Sequence, residues 1–196
     1  NYDNHSVIKD SDKWEDLLKN NEPQKQDYYP ELDDIWTIVF TSGTTGDPKG
    51  VVLDYRTIYL TKIIVESDVN PLGMDRNGNN SFFSYLPLNH IFERVVLEFQ
   101  CMRYGGTMSF VESLESFPKN LADVQPTTFA GVPRIYNKFK DKILEKMPQK
   151  RLNFLLSIPI ISSLIKKKIR KSLGWSNANA IVSGAAFLPQ ELIEWY

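Results

Sequence analysis

Cysteine and histidine are almost absent from this chain of 196 residues: Cys101 is its one thiol, and His5 and His90 are its two imidazoles. A single thiol excludes an intrachain disulfide, and with two histidines it leaves no soft-metal cluster to propose. No stretch approaches the roughly 20 apolar residues that a membrane-spanning helix needs. Excess charge is missing too: 23 bases against 24 acids leave −1, which gives a nucleic-acid partner no support. The opening Asn1-Tyr2-Asp3-Asn4 is neither a Met start nor a basic, apolar signal peptide. The expectation is a cytoplasmic, reducing-compartment chain cut out of something longer. What is present is ordinary globular material, 42% hydrophobic and 24% charged.

Charge is unevenly placed. Residues 1–34 hold ten acids and four bases, whereas residues 134–171 hold twelve bases and two acids. The plain reading is a solvated acidic leader and a basic helical face; the sharper one is a surface for anionic lipid or an acidic partner. Residues 1–34, with a helix-like run around Trp14-Glu15-Asp16-Leu17-Leu18, read as a polar linker or edge segment. Residues 35–196 read as one domain. Ile35-Trp36-Thr37-Ile38-Val39-Phe40 has the composition of a buried strand, and Val51-Val52-Leu53 follows as another. Asp54 is placed to cap a helix through Tyr59, Ile63 and Ile64. Strands at 82–86, 107–111, 127–130 and 180–183 then alternate with helices at 91–103, 116–124, 133–146 and from 189. This pattern predicts an α/β fold, a mostly parallel sheet with helices on both faces.

The loop between the first two strands carries the chemistry. Thr41-Ser42-Gly43-Thr44-Thr45-Gly46-Asp47-Pro48-Lys49-Gly50 packs four hydroxyls, three glycines and a lysine into ten residues. Glycines let backbone N–H groups converge on an anion, hydroxyls donate to phosphate oxygens, and Lys49 offers a mobile ammonium. An ordinary turn between strands needs no such density. It is not a Walker A loop, because Pro48 separates Gly46 from Lys49 and a strand rather than a helix follows. The loop is expected to join two strands and grip phosphate as a flap.

Residues 41–50 resemble the signature of the adenylate-forming enzymes: acyl-CoA synthetases, peptide-synthetase adenylation domains and luciferases. Tyr85-Leu86-Pro87-Leu88-Asn89-His90-Ile91-Phe92-Glu93-Arg94 is similar to the second core motif in its long-chain fatty acyl-CoA synthetase form. Gln125-Pro126-Thr127-Thr128-Phe129-Ala130-Gly131-Val132-Pro133-Arg134 and Ser183-Gly184-Ala185-Ala186-Phe187-Leu188-Pro189 resemble later segments of that branch, with Phe187 where a proline is usual. The resemblance spans 35–196 and implies part of the large N-terminal domain of such an enzyme. Its later motifs, among them a Mg²⁺-binding glutamate and a distant catalytic lysine, are not in these residues. The 196 residues alone are therefore expected to be inactive.

By resemblance the substrates are a fatty acid, ATP and coenzyme A, with Mg²⁺, and the reaction runs through an acyl-adenylate to a thioester. A fatty acid is already ionised near neutral pH, so charge neutralisation and alignment are needed rather than a general base. Thr41, Ser42, Gly43, Thr44, Thr45, Gly46 and Lys49 would hold the β- and γ-phosphates, with Thr41 near Mg²⁺. His90 would donate to the acyl oxygens, unless it is only a satisfied structural histidine. Val132 and Pro133 would line the acyl or nucleotide wall. Gly184, Ala185 and Ala186 would offer bare backbone to adenine and acyl chain, or simply form a tight turn. Glu93 and Arg94 are read as pairing with each other.

Residues 152–165 are apolar on nearly every face, contain Pro159 and run into Lys166-Lys167-Lys168-Ile169-Arg170-Lys171. They read as a buried kinked helix with a solvated basic end, or as a helix lying in a membrane's headgroup layer, a peripheral contact through 152–171. Two other functions stay open: a non-enzymatic nucleotide- or acyl-binding module, and a ligase for another carboxylic acid.

Overall fold

The computed structural model describes residues 19–20, 22, 29–41 and 47–196. The Trp14–Leu18 run and the loop residues Ser42, Gly43, Thr44, Thr45 and Gly46 lie outside the described residues. The chain divides into two units, Asn1–Glu31 and Leu32–Tyr196.

In the second unit, strands β1 (Ile35–Thr41) and β2 (Lys49–Asp54) form an antiparallel hairpin, with Ile38 opposite Val52 and Thr41 opposite Lys49. The hydroxyl-rich loop thus joins two strands, as expected. The expectation of a buried strand is corrected: Ile35, Ile38 and Phe40 are exposed, as are Val51 and Val52. A β-branched run looks buried when read in isolation, but this two-stranded hairpin is covered on one face, where Val39 and Leu53 pack.

Helix α1 (Tyr55–Glu66) starts where the sequence says, with Asp54 Oδ1 accepting from Thr57 N at 3.0 Å. Strand β3 (Ser81–Ser84) leads into a helical run that opens at residues 91–92, passes through a π-helical turn at Glu93–Glu98 and continues as α2 (Phe99–Tyr104). The Phe99 amide donates to Arg94 O, five residues back, which is the wide π register. The chain continues through β4 (Thr107–Phe110), α3 (Phe117–Val124), β5 (Thr128–Gly131) and α4 (Pro133–Lys146). It ends with α5 (Gln149–Leu156), α6 (Pro159–Ser172), β6 (Ala180–Ser183) and α7 (Gln190–Trp195).

Strands β4-β3-β5-β6 form one sheet, parallel at every pairing. Successive strand side chains point to opposite faces, and β3 shows both being covered. Phe82 packs with Val65 of α1, Met74 of the connection that follows it and Leu97 of the π turn. Its neighbour Phe83 packs with Leu121, Phe129, Phe139 and Trp175, on the side of α3 and α4. The expected α/β fold with helices on both faces is what the protein has. Residues 152–165 are not one kinked helix: the chain breaks between α5 and α6, and Pro159 opens α6, where its missing N–H costs nothing. No helix among the described residues is long and apolar enough to cross a membrane.

Helix α6 closes on Gly174, at φ +73, with the Trp175 amide donating to Arg170 O at 2.8 Å, a Schellman-type end. A Cβ at Gly174 would strike the Leu121 carbonyl. Gly174→Ala is therefore expected to lose about 1–2 kcal/mol from the left-handed backbone and about 1–3 kcal/mol from overpacking. Urea unfolding measures this; an unchanged midpoint would contradict the packing of α6 on α3.

Candidate active site

In the order β4-β3-β5-β6 the chain leaves β3 toward β4 on one side, then crosses back to β5 on the other. The crevice outside the carboxyl ends of β3 and β5 is therefore a topological switch point, where open parallel sheets bind ligands. Three of the expected site segments emerge there or next to it. His90 follows β3, Val132 and Pro133 follow β5, and Gly184, Ala185 and Ala186 follow β6.

The β3 end is held by one carboxylate. Glu93 is fully buried, and its Oε1 accepts from the amides of Tyr85 at 2.9 Å and Leu86 at 2.6 Å, the first two residues past the strand. Its Oε2 has no hydrogen-bond partner. Burial pushes the Glu93 carboxyl above its usual range, with the two amides pulling the other way. The expected Glu93–Arg94 pair does not form: Arg94 bonds both carboxylate oxygens of Glu98, at 2.9 and 2.8 Å. Adjacent residues on a helical turn point in different directions, whereas residues four apart lie close to one another on its surface. Tyr85 Oη donates to Ala130 O at 3.1 Å, tying the β3 end to β5, and burial raises its pKa to about 12.

His90 is exposed at the end of this clamped loop. Its backbone is fixed by His90 N donating to Pro87 O at 2.8 Å and by Arg94 N donating to His90 O at 3.0 Å. The ring Nδ1 accepts from Phe92 N at 3.2 Å, so a neutral ring carries its proton on Nε2 as a donor. Val132 is half-buried, and Pro133 is buried as the first residue of α4. At the β6 end Tyr136 Oη donates to Val182 O, and the Gly184 amide donates to Gly131 O at 3.3 Å. A Cβ at Gly184 would meet nothing within 4 Å. Neither packing nor a positive φ demands glycine there, and the space over its backbone is open. Ala185 sits at φ +64, a conformation that costs a non-glycine residue energy and tends to persist at ligand sites.

The hairpin reaches this region through the π turn. Val39 and Leu53 pack on Val95, and Trp36 meets Phe99 edge-on at 5.7 Å and lies under the Arg94 guanidinium. Lys49 is exposed at the loop's exit, opposite Thr41. Among the described residues no three His, Cys, Asp or Glu side chains gather as a metal cage. Sequence reasoning missed Glu93 and Tyr85 as the braces of the loop. The sequence carried little signal for them, because a polar Glu93 at the start of a π-helical turn belongs to no 3.6-residue apolar stripe.

The profile of the AMP-binding enzyme family matches residues 2–196. It takes in the first 34 residues, where no motif was legible. Long-chain-fatty-acid–CoA ligase 5 of Rattus norvegicus is 31% identical over 202 residues, covering 93% of this chain and 29% of that protein. Long chain acyl-CoA synthetase 2 of Arabidopsis thaliana is 30% identical, covering 83% of this chain and 27% of its own length. The chain thus spans less than a third of these relatives. Among solved structures, the A-PCP didomain of carboxylic acid reductase from Segniliparus rugosus, in complex with AMP, superposes with a TM-score of 0.61 at 23% identity. That match covers 84% of this chain and 22% of that one, and it shows the shared fold.

Removing the Glu93 carboxylate leaves two amides without their acceptor. Glu93→Ala is expected to cost about 1–3 kcal/mol for each amide, and Glu93→Gln less, because one oxygen remains. The folded carboxyl has a raised pKa, so its stabilisation is present below the ordinary value of 4.5 and is lost as pH rises through the raised one. Denaturant unfolding against pH should show the wild type losing stability relative to Glu93→Gln above pH 4.5. A difference that stays flat with pH would refute the buried-carboxyl assignment.

Proposed function

The chain belongs to the AMP-binding enzyme family, and on that premise we propose that the protein carrying it activates a long-chain fatty acid with ATP and passes the acyl group to coenzyme A. What supports it is that the segments carrying His90, Val132 and Gly184 each follow the carboxyl end of one of three neighbouring strands, with open space over the Gly184 backbone. The Pro87-Leu88-Asn89-His90-Ile91-Phe92-Glu93-Arg94 run and the relatives at about 30% identity favour a long-chain acid.

The obstacle in such a reaction is an anion attacking a polyanion. One carboxylate oxygen bonds to the α-phosphorus of ATP, the bond to the β-phosphate bridging oxygen breaks, and pyrophosphate leaves with the electron pair. No proton has to be removed from the acid, so the site needs donors and positive charge. The donor set fits a triphosphate: hydroxyls of Thr41, Ser42, Thr44 and Thr45, the amides of Gly43 and Gly46, and the Lys49 ammonium hold the β- and γ-phosphates. His90 Nε2 donates to the acyl carboxylate and keeps it aligned. The adenine lies against Gly184, Ala185 and Ala186, where a Cβ at the glycine would occupy open space. Val132, ahead of the buried Pro133, forms part of the wall. Mg²⁺ would screen phosphate charge, with Thr41 a candidate to help hold it. The sulfur of coenzyme A then attacks the acyl carbon, its thiol proton passes to solvent, and AMP leaves with the electron pair of the broken acyl–phosphate bond.

Pyrophosphate release by the full-length protein, measured across acyl lengths and with aromatic acids, tests this reading. Lys49→Ala and Thr44→Ala are each expected to slow adenylate formation by roughly 100-fold, the cost of losing one preorganised donor to developing charge. Unchanged pyrophosphate release by both variants would overturn the phosphate-loop assignment.

A further inference from the structure

Helices α5 and α6 carry seven bases between Lys150 and Lys171 and no carboxylate. None of those bases enters a salt bridge among the described residues. Between them stand large apolar side chains open to solvent: Phe154 is 65% exposed, Ile160 79% and Leu164 64%. On α6, Ile160, Leu164, Lys167 and Lys171 follow at spacings of four, three and four, so they lie on one stripe. The stripe beside it, Ser163, Lys166 and Arg170, borders a cavity of about 550 Å³ that Ser162 and Ser176 complete. Cations and hydroxyls there face one hollow, the chemistry that binds a phosphodiester. Another side of α6 is turned inward, where Ile169 packs against the cluster of Phe83, Phe129 and Trp175.

The geometry points to this face as a docking surface for an anionic phospholipid bilayer, with Ile160 and Leu164 entering the acyl boundary and the Lys166–Arg170 hollow seating a headgroup phosphate. Lysine stems lie along apolar surface while their ammonium groups stay at headgroup level, and an interfacial helix needs this pairing of apolar side chains with bases. A purely acidic partner surface would satisfy the bases but leave Ile160 and Leu164 unburied. The surface acts independently of ATP and acyl substrate.

Flotation of the full-length protein with vesicles of phosphatidylcholine alone, and of phosphatidylcholine mixed with phosphatidylglycerol, tests the surface. Binding is expected only to the mixed vesicles and should weaken as salt rises. Lys166→Gln combined with Arg170→Gln should lower partitioning about 25-fold, roughly fivefold per base near an anionic surface. In Leu164→Trp, brominated lipid should quench the added fluorescence. Equal recovery with both vesicles, no binding to either, or an unquenched tryptophan would overturn the proposal. So would a variant whose thermal midpoint falls while vesicle binding is absent in the wild type, because Leu164 would then be covered by protein. Inorganic phosphate that raises the thermal midpoint without any vesicle binding would reassign the hollow to a soluble anion.

Discussion

The fold's functional edge depends on a carboxylate that has left water. Glu93 is fully buried and spends one oxygen on the first two amides beyond β3. Those amides are where a parallel strand stops being hydrogen-bonded by its neighbours, and a loop leaving there would otherwise be free to choose its path. The same short π turn serves three directions at once. Glu93 faces the loop, Val95 faces the hairpin, and Leu97 faces the sheet core beside Phe82. An ordinary α-helical turn spaces side chains by about 100°; the wider turn redistributes them, and the Phe99-to-Arg94 bond keeps the backbone satisfied. Hairpin, loop and sheet are thereby held by one element.

That arrangement suits chemistry that needs placement more than proton transfer. His90 is fixed through its backbone and through Nδ1, while the ring remains exposed. The sheet's crossover opens the crevice, and tyrosines stitch its rim. Tyr85 bonds to Ala130 O and Tyr136 to Val182 O, so the ends of β3, β5 and β6 are cross-braced by phenols whose pKa burial pushes up. Gly184 leaves room above the rim, and the strained Ala185 beside it marks where backbone geometry has been set by something other than local preference.

Much of this was legible in the residues. Pro133 opens its helix, Asp54 caps α1, and the short apolar strands assemble in parallel, because each of these rests on local stereochemistry that tertiary contacts reinforce. What could not be read depends on partners distant in sequence. The hairpin's apolar outer face resembles a buried strand until its single layer of cover is seen. Glu93 beside Arg94 looks like a surface pair because the helical period says nothing of which acid is inside. A π turn breaks the 3.6-residue period on which such readings rely, so it leaves no pattern of its own. The hydroxyl-rich loop of residues 41–50 was the clearest motif in the sequence, and its central five residues lie outside those described.

Amide hydrogen exchange at Tyr85 and Leu86 tests the role of the Glu93 carboxylate most directly. Both amides should exchange slowly in the wild-type protein and lose that protection in Glu93→Ala, while the core amide of Phe82 changes far less. Rapid exchange of the two amides in the wild type, or protection that survives the substitution, would contradict the account.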